Sequence, residues 1–306
     1  MSVHPLRAIG RGLRTAVAVI IEVFHEFVRD ECVPLAGSLA FFTLFSFGPI
    51  LALVVDIASV AVEPGIIRAE LVSSIGAMFG TPVAEQTRVA LEQLRERQLD
   101  HPVARVAGVA LLLFAATMVL AQAQQALNRV WAVERRAGFR GFVFKRLVSL
   151  GLIFGLVVLL FTSMTTSAVV GSLGPRLDLV LPEGVRALVI GAGNAGISFA
   201  LLALVAALMH GILPEARIPW SDAAIGGLVT AFLLAAGHAI IGWILSATPM
   251  ASIFGASQSL ALLLFWVFYS SAIVLWGAEF TKVVARRRGH EVAPSEGATR
   301  TRRTLV

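Results

Sequence analysis

A-L-V-I-G-A-G-N-A-G-I-S-F-A-L-L-A-L-V-A-A-L-M-H-G-I-L, Ala187 to Leu213, decides the fold, and it admits two incompatible readings. Gly191, Gly193 and Gly196 stand at the G-x-G-x-x-G spacing of a dinucleotide-binding turn, and Glu215 follows where such a fold places its ribose-binding acid. The surroundings exclude that reading. The would-be helix Ile197 to Met209 has no polar face, Pro214 interrupts the required second strand, and no further strand-helix units follow. The stretch is instead 27 residues without a charged side chain, long enough to cross a bilayer at about 1.5 Å per residue. Its small residues suit close approach of neighbouring helices.

Working outward, the same character recurs. Apolar stretches at 36–62, 104–126, 147–170, 187–213, 223–245 and 258–279 predict six membrane spans. The composition agrees, at 57% hydrophobic and 14% charged residues with a mean hydropathy of +0.84. The fold class expected is all-α: a polytopic membrane domain over 36–280, preceded by a cytoplasmic amphipathic helix in 1–35 and followed by a basic, disordered tail over 281–306. Met1 to Arg14 is too broken by charge and glycine for a cleavable signal, so the first span is expected to target the chain. Cys32, the lone cysteine, rules out an intramolecular disulfide framework and a cysteine-rich metal site.

Two segments read as amphipathic rather than spanning. In 9–31, Val17, Ile20, Ile21, Phe24 and Phe27 form an apolar face against Arg14, Glu22, His25 and Arg29. In the insertion 63–102, Ile66, Ile67, Leu71 and Ile75 recur at helical spacing, as do Val83, Leu91 and Leu94. This predicts two amphipathic helices on the outer surface.

Orientation follows from the basic residues, which are retained near cytoplasmic span ends. Arg129, Arg135, Arg136, Arg140, Lys145 and Arg146 fall between spans two and three, and the tail carries seven more from Lys282 to Arg303, whereas 246–257 carries no charge. Both termini inside places 18 of the 25 basic residues in cytoplasmic segments. Trp131, Trp220 and Trp276 then fall at the inner interface, where indole rings favour the headgroup layer. Topology accounts for the net charge of +6 without nucleic acid. Arg286, Arg287 and Arg288, directly after a span, read as an anchor for anionic lipid headgroups.

Polar groups inside spans are the candidate functional residues. Asp56, Asn194 and His238 each lie about 10 Å below the outer boundary at 1.5 Å per residue. Thr166 and its hydroxyl neighbours in span three share that depth, and Pro49, beside Ser46, removes a backbone hydrogen bond from the middle of span one. Together they outline a substrate path. The alternative for each is structural: Asp56 snorkels, Asn194 and the hydroxyls bond backbone carbonyls, and His238 packs as a neutral ring. At the inner end Gln125, Asn128 and Arg129 close span two beside Gln122, and Glu279 and Lys282 close span six. There Glu279 is expected to pair with Arg129 or Arg136.

Four segments carry a resemblance. L-A-F-F-T-L-F-S-F-G-P (Leu39 to Pro49), A-L-N-R-V-W-A-V-E (Ala126 to Glu134), L-P-E-A-R-I-P-W-S-D-A (Leu213 to Ala223) and W-G-A-E-F (Trp276 to Phe280) are similar to the YihY/BrkB family of bacterial inner-membrane proteins. The resemblance runs from about residue 30 to 285, and no single segment would carry it. Position by position it picks out Ser46, Pro49, Asn128, Trp131, Pro214, Arg217, Pro219, Trp220, Asp222, Gly277 and Glu279. Phe41 and Phe42 stand where many relatives carry tyrosine, which weakens any role for a hydroxyl there. The resemblance implies an integral inner-membrane protein, with serum resistance or envelope lipid export attributed to some members. Others were labelled ribonuclease BN. That label needs clustered metal ligands, and the six histidines are scattered along the chain.

The expected function is non-enzymatic, without cofactor or metal: moving or gating a lipid-like or small amphipathic molecule in envelope biogenesis. Small-solute transport is the close variant. The competing class is a structural or regulatory partner of an envelope protein complex. No G-x-x-x-x-G-K-[ST] loop is present, which argues against ATP hydrolysis by the chain itself.

Overall fold

Every long apolar run within the described residues is helical. The computed structural model describes residues 4–60, 62–79, 81–96, 114, 118–135, 182–247, 258–290, 292–295 and 298–300. Helix α1 (His4–Arg29) meets α2 (Cys32–Ala58) through a two-residue turn in which Glu31 takes a left-handed φ of 55°. A helical hairpin follows, α3 (Pro64–Phe79) and α4 (Thr81–Glu96). The helical segment 118–130, α5, leads into strand β1 (Val133–Arg135). Then come α6 (Glu183–Ile212), strand β2 (Ala216–Arg217), α7 (Trp220–Ala247), α8 (Gln258–Arg287), and strands β3 (Ala293–Pro294) and β4 (Ala298–Arg300).

This is an all-α membrane protein. Among the described residues, four helices are long and apolar enough to cross a bilayer: α2, Gly191–Ile212 within α6, Trp220–Ile241 within α7 and Leu260–Arg287 within α8. They correspond to the first, fourth, fifth and sixth predicted spans. The third, with Thr166, and most of the second lie outside the described residues. Ala187 to Leu213 lies within α6 apart from its last residue, so no strand-turn-helix exists at Gly191, Gly193 and Gly196. A Cβ on any of those glycines would meet no described atom within 4 Å.

The tight glycine contacts lie elsewhere, between α7 and α8. A Cβ on Gly226 would overlap Thr281 Oγ1, and one on Gly277 would overlap Thr230 Oγ1, so each helix offers a glycine to the other's threonine. Each step of four along α7 is matched by a step of four back along α8, as an antiparallel pair requires. Further along, Gly237 receives the Tyr269 ring. Each threonine hydroxyl donates to the carbonyl four residues before it, Thr230 to Gly226 at 2.8 Å and Thr281 to Gly277 at 2.7 Å. The buried hydroxyls are thereby satisfied while their methyl groups pack. On its other side Gly227 of α7 would place a Cβ 2.6 Å from the Ala203 carbonyl oxygen of α6.

Helix α2 runs through Pro49 without ending, although the Phe45 carbonyl loses the amide partner that a non-proline residue would supply. Leu51, Val54, Val55 and Ala58 of α2 pack with Ile67 and Leu71 of α3 and Leu91 of α4, and Val83 of α4 packs with Leu262 and Leu263 of α8. The hairpin therefore lies along α2 and α8. Of the apolar positions recognised in sequence, Ile67, Leu71, Val83 and Leu91 are buried and Ile75 packs with them, while Ile66 is exposed; Gly76 and Ala84 let α3 and α4 touch near the tip.

The two terminal segments complete the fold. Helix α1 buries Val23, Glu26, Phe27 and Asp30 toward α8, while Val17, Ile20, Ile21, Phe24 and Val28 remain exposed. Its buried face is partly acidic, and most of its apolar stripe points away from the described protein. The tail expected to be disordered contains β3, antiparallel to β2, and β4, antiparallel to β1. The Ser295 amide also donates to the Glu215 carbonyl at 3.0 Å. Backbone pairing across the loops at 131–135 and 213–219 gives this polar segment the partners that its composition does not announce.

Candidate functional site

Three of the four motif segments of the sequence converge on one end of the bundle. There α1, the α5–β1 turn, the α6–α7 loop, the end of α8 and the C-terminal strands meet; we call it the charged end, and the end nearer α3 and α4 the hairpin end. Lys282 is its hub. Its ammonium lies 2.8 Å from Glu26, 2.8 Å from Asp30 and 2.9 Å from Glu279, whose side chains are 8%, 0% and 0% exposed. The three carboxylates lie within 4.8 Å of one another, the geometry of a cation site. Lys282 supplies that cation from within the chain.

Charge balances around this hub. Arg286 pairs with Glu22 and Glu26, Arg287 with Glu22, and Arg29 with Glu26 at 3.0 Å. Four acids, Glu22, Glu26, Asp30 and Glu279, thus face four bases, Arg29, Lys282, Arg286 and Arg287. Burial alone would raise the Glu26 carboxyl, but the Lys282 hydrogen bond and the charges of Lys282, Arg29 and Arg286 outweigh it and hold the group below the ordinary glutamate value. Glu22 is lowered likewise, its desolvation overcome by Arg287 and Arg286. Because acids stand at 22 and 26 on α1 and at 30 in the turn that follows, and bases at 282 and 286 on α8, two four-residue stripes meet and extend α8 beyond the end of its apolar run.

Glu279 does not pair with Arg129. Glu279 takes Lys282 and accepts the Cys32 thiol at 3.8 Å, and Arg129 pairs with Glu31; the alternative partner, Arg136, lies outside the described residues. Arg129 and Glu31 flank the α1–α2 turn at the surface, whereas Glu279 is interior. Asn128 accepts the Glu215 amide on its Oδ1 at 2.7 Å, joining α5 to the α6–α7 loop. Gln125 is exposed, and Gln122 donates to Ser38 of α2 at 2.8 Å.

The remaining motif residues surround this network. Asp222, fully buried in the first turn of α7, receives Arg288 at 3.1 Å and His290 at 2.7 Å. Arg286, Arg287 and Arg288 are therefore ion-paired within the chain, though 36–50% of each side chain stays exposed. Trp276 packs on Phe27 with ring centroids 5.3 Å apart, Trp131 and Pro214 are buried, and Trp220 and Arg217 are exposed. Beside the Gly277–Thr230 crossing sits His210, fully buried, with Nε2 at 3.2 Å from the Val274 carbonyl. A carbonyl can only accept, so that contact places a proton on Nε2.

Adjoining His210, between α2, α5, α6 and α8, is a cavity of about 280 Å³. Leu39, Leu120, Leu127, Met209, Val267 and Leu275 give it apolar walls, and Thr43, Ser270 and Ser271 place hydroxyl-bearing residues in the lining. Among the described residues of the predicted substrate path, Ser46, Pro49, Asp56 and His238 are not in the cavity lining. Ser46 and Pro49 lie on α2 just beyond Thr43. Asp56 is exposed near the end of α2, with Arg68 of α3 acting on it electrostatically. His238 is exposed beside the Trp266 ring at 5.3 Å. Asn194 is on α6, but its side chain is not among those described. His210, His238 and His290 occupy three separate places.

A model of the family described as Virulence factor BrkB matches residues 23–302. The chain belongs to the BrkB family. It is 29% identical over 277 residues to a UPF0761 membrane protein of Alkalilimnicola ehrlichii, covering 89% of this chain and 59% of that protein. A UPF0761 membrane protein of Teredinibacter turnerae is 28% identical over 268 residues, at 86% and 59% coverage. The chain thus spans about three fifths of the length of these curated relatives. It covers 93% of a UPF0761 membrane protein of Mannheimia succiniciproducens at 25% identity. No solved structure matches. Within this BrkB member the charged end gathers Asn128, Trp131, Pro214, Asp222, Gly277 and Glu279 from three of the four motif segments, while Ser46 and Pro49 of the fourth lie deeper along α2.

Proposed function

We propose that this BrkB protein moves or gates a lipid-like or small amphipathic molecule across a bacterial inner membrane, without enzymatic chemistry of its own. The observation that carries the reading is the cavity of about 280 Å³ within the bundle. Its walls are apolar apart from Thr43, Ser270 and Ser271, and Thr43 already donates to the Leu39 carbonyl at 2.8 Å. Such a lining suits acyl or other hydrocarbon surface with a few hydroxyl contacts, and ligand sites are commonly apolar pockets with sparse polar groups. The basic residues on the α5–β1 turn and the C-terminal segment favour a cytoplasmic charged end, with both termini inside.

The test is lipid translocation in proteoliposomes, following a headgroup-labelled lipid with a membrane-impermeant quencher. Wild type is compared with Thr43→Trp, which fills the cavity, and with Asp56→Asn. Faster loss of protected label with wild type, abolished in Thr43→Trp while the protein still elutes as a folded species, supports the reading. Equal rates in wild type, variants and empty vesicles would refute autonomous lipid movement and favour a structural or regulatory partner role in an envelope complex.

A further inference from the structure

The α3–α4 hairpin penetrates farther than a surface element would. Helix α2 runs from Cys32 to Ala58, so its midpoint is about residue 45. Val83, two residues into α4, shares a cluster with Leu262 and Leu263 against which Leu44 and Phe47, on either side of that midpoint, also pack. The other end of the hairpin is level with the end of α2, where Ile67 and Leu91 pack in one cluster with Val54, Val55 and Ala58. From Val83 to Leu91 is eight residues, or about 12 Å of helix, and from Phe47 to Val55 is the same. The two helices therefore rise in step, with the hairpin tip about 16 Å below the end of α2.

Carried up α4, that register sets the depth of its charged face. Glu85, Arg88 and Glu92 fall about 13, 9 and 3 Å below the end of α2. Arg88 bonds both acids, reaching Glu85 at 2.9 Å and Glu92 at 2.6 Å, and the three side chains are 60%, 49% and 58% exposed among the described residues. One cation and two anions leave an excess negative charge. The predicted spans outside the described residues offer little to neutralise it, since 147–170 carries no charged residue and 104–126 carries only Arg105. In hydrocarbon such a ladder would be strongly unfavourable, and charged groups at membrane depth face water or partners. The exposed Asp56 and Ser73 lie at the same end.

We propose that α3–α4 is a re-entrant hairpin whose charged face lines a water-filled vestibule open at the hairpin end. Its tip seals that vestibule from the apolar cavity. The seal is Val83 within Leu44, Phe47, Leu262 and Leu263, together with Val267, which also lines the cavity. The vestibule admits polar and charged groups, and the cavity beyond the seal accepts apolar ones. This needs only that the chain spans a membrane and is independent of whether anything is transported.

Cysteine accessibility tests it in membrane vesicles carrying the full chain. Cys32 is replaced by serine, and single cysteines are placed by Glu85→Cys, Glu92→Cys and Phe45→Cys. Phe45 is 67% exposed near the middle of α2 and serves as the lipid-facing control. A membrane-impermeant charged methanethiosulfonate should modify positions 85 and 92 from one and the same side, at least about tenfold faster than position 45, because only a hydrated thiol ionises readily. Modification of Glu85→Cys as slow as that of Phe45→Cys, with full labelling after detergent denaturation, overturns the vestibule. For the seal, Thr43→Cys should label slowly in the wild-type tip and about tenfold faster alongside Val83→Ala. Equal rates with and without Val83→Ala overturn the seal.

Discussion

Replacing Gly277 by alanine places a methyl group against Thr230. The new Cβ would overlap Thr230 Oγ1 and lie 3.0 Å from His210 Cε1 and 3.1 Å from Thr230 Cβ. Thr230 has little freedom to yield, being fully buried with its hydroxyl bonded to the Gly226 carbonyl at 2.8 Å. Either α7 and α8 separate, at an overpacking cost of about 1–3 kcal/mol, or Thr230 rotates and forfeits about 1 kcal/mol of hydrogen bond. Gly277→Ala should therefore destabilise by about 2 kcal/mol or more, lowering the thermal midpoint in detergent by roughly 4–8 °C. Thr230→Ala alone should cost about 1 kcal/mol. The double variant is the discriminating one. Once Oγ1 is gone the nearest atoms stand at 3.0 and 3.1 Å, a clash that shifts of a few tenths of an ångström relieve. Gly277→Ala with Thr230→Ala should thus be more stable than Gly277→Ala alone, with a coupling of about 1 kcal/mol or more. The assay is the fraction remaining monodisperse by size-exclusion chromatography after heating, for all four proteins. Additive losses, or a Gly277→Ala as stable as wild type, would refute the close crossing.

Lys282→Met should destabilise by about 3–5 kcal/mol, because it strips three buried carboxylates of their shared cation; adding Glu279→Gln should recover part of the loss in the same heating assay. Glu22 and Glu26 are lowered in the folded protein. Their stabilisation is therefore complete above the ordinary glutamate value of about 4.3 and is lost as pH falls through their folded values; melting temperatures measured from pH 7 downward should drop below about pH 4.5, and less in Glu22→Gln. Asn128→Leu removes the acceptor of the Glu215 amide and should cost about 1–3 kcal/mol, whereas Gln125→Leu, at an exposed neighbouring site, should melt within about 0.5 kcal/mol of wild type. Ala132, after α5, holds a left-handed φ of 50°, so Ala132→Gly should raise the melting temperature, by about 1 kcal/mol of added stability.

The sequence made the spanning helices legible because hydrocarbon imposes one rule on long segments: apolar, uncharged and about 20 residues. That rule located four of the described helices to within a few residues, except at α8. There hydropathy stops at 279, yet the helix continues to Arg287 because Lys282, Arg286 and Arg287 find acids on α1. The signal was present as acids at 22, 26 and 30 and bases at 282 and 286, but pairing stripes 250 residues apart requires knowing that the helices meet. Gly191, Gly193 and Gly196 drew attention by pattern, whereas the glycines that admit close neighbours, Gly226 and Gly277, each stand four residues before a threonine. One helix alone does not reveal that reciprocity. Asp56 and His238 share a depth in sequence, but azimuth around a helix decides whether equal depths face one another. Hydropathy contains no azimuth.

The two ends of the bundle resist separation by different physics. Parting α1 from α8 at the charged end would uncover Glu26, Asp30 and Glu279 without Lys282, a penalty of several kcal/mol for each unpaired buried ion. The ribbons β1–β4 and β2–β3 would also lose backbone bonds. At the hairpin tip the contacts are Val83 with Leu44, Phe47, Leu262 and Leu263, all apolar. Where lipid chains replace these contacts only packing is lost, because they are as apolar as leucine, whereas on the vestibule side water would oppose separation through the hydrophobic effect. A bundle assembled this way is braced where it is polar and loose where it is greasy, the reverse of a soluble protein. Parting the charged end would leave buried ions unpaired, whereas parting the hairpin tip would forfeit apolar contacts alone.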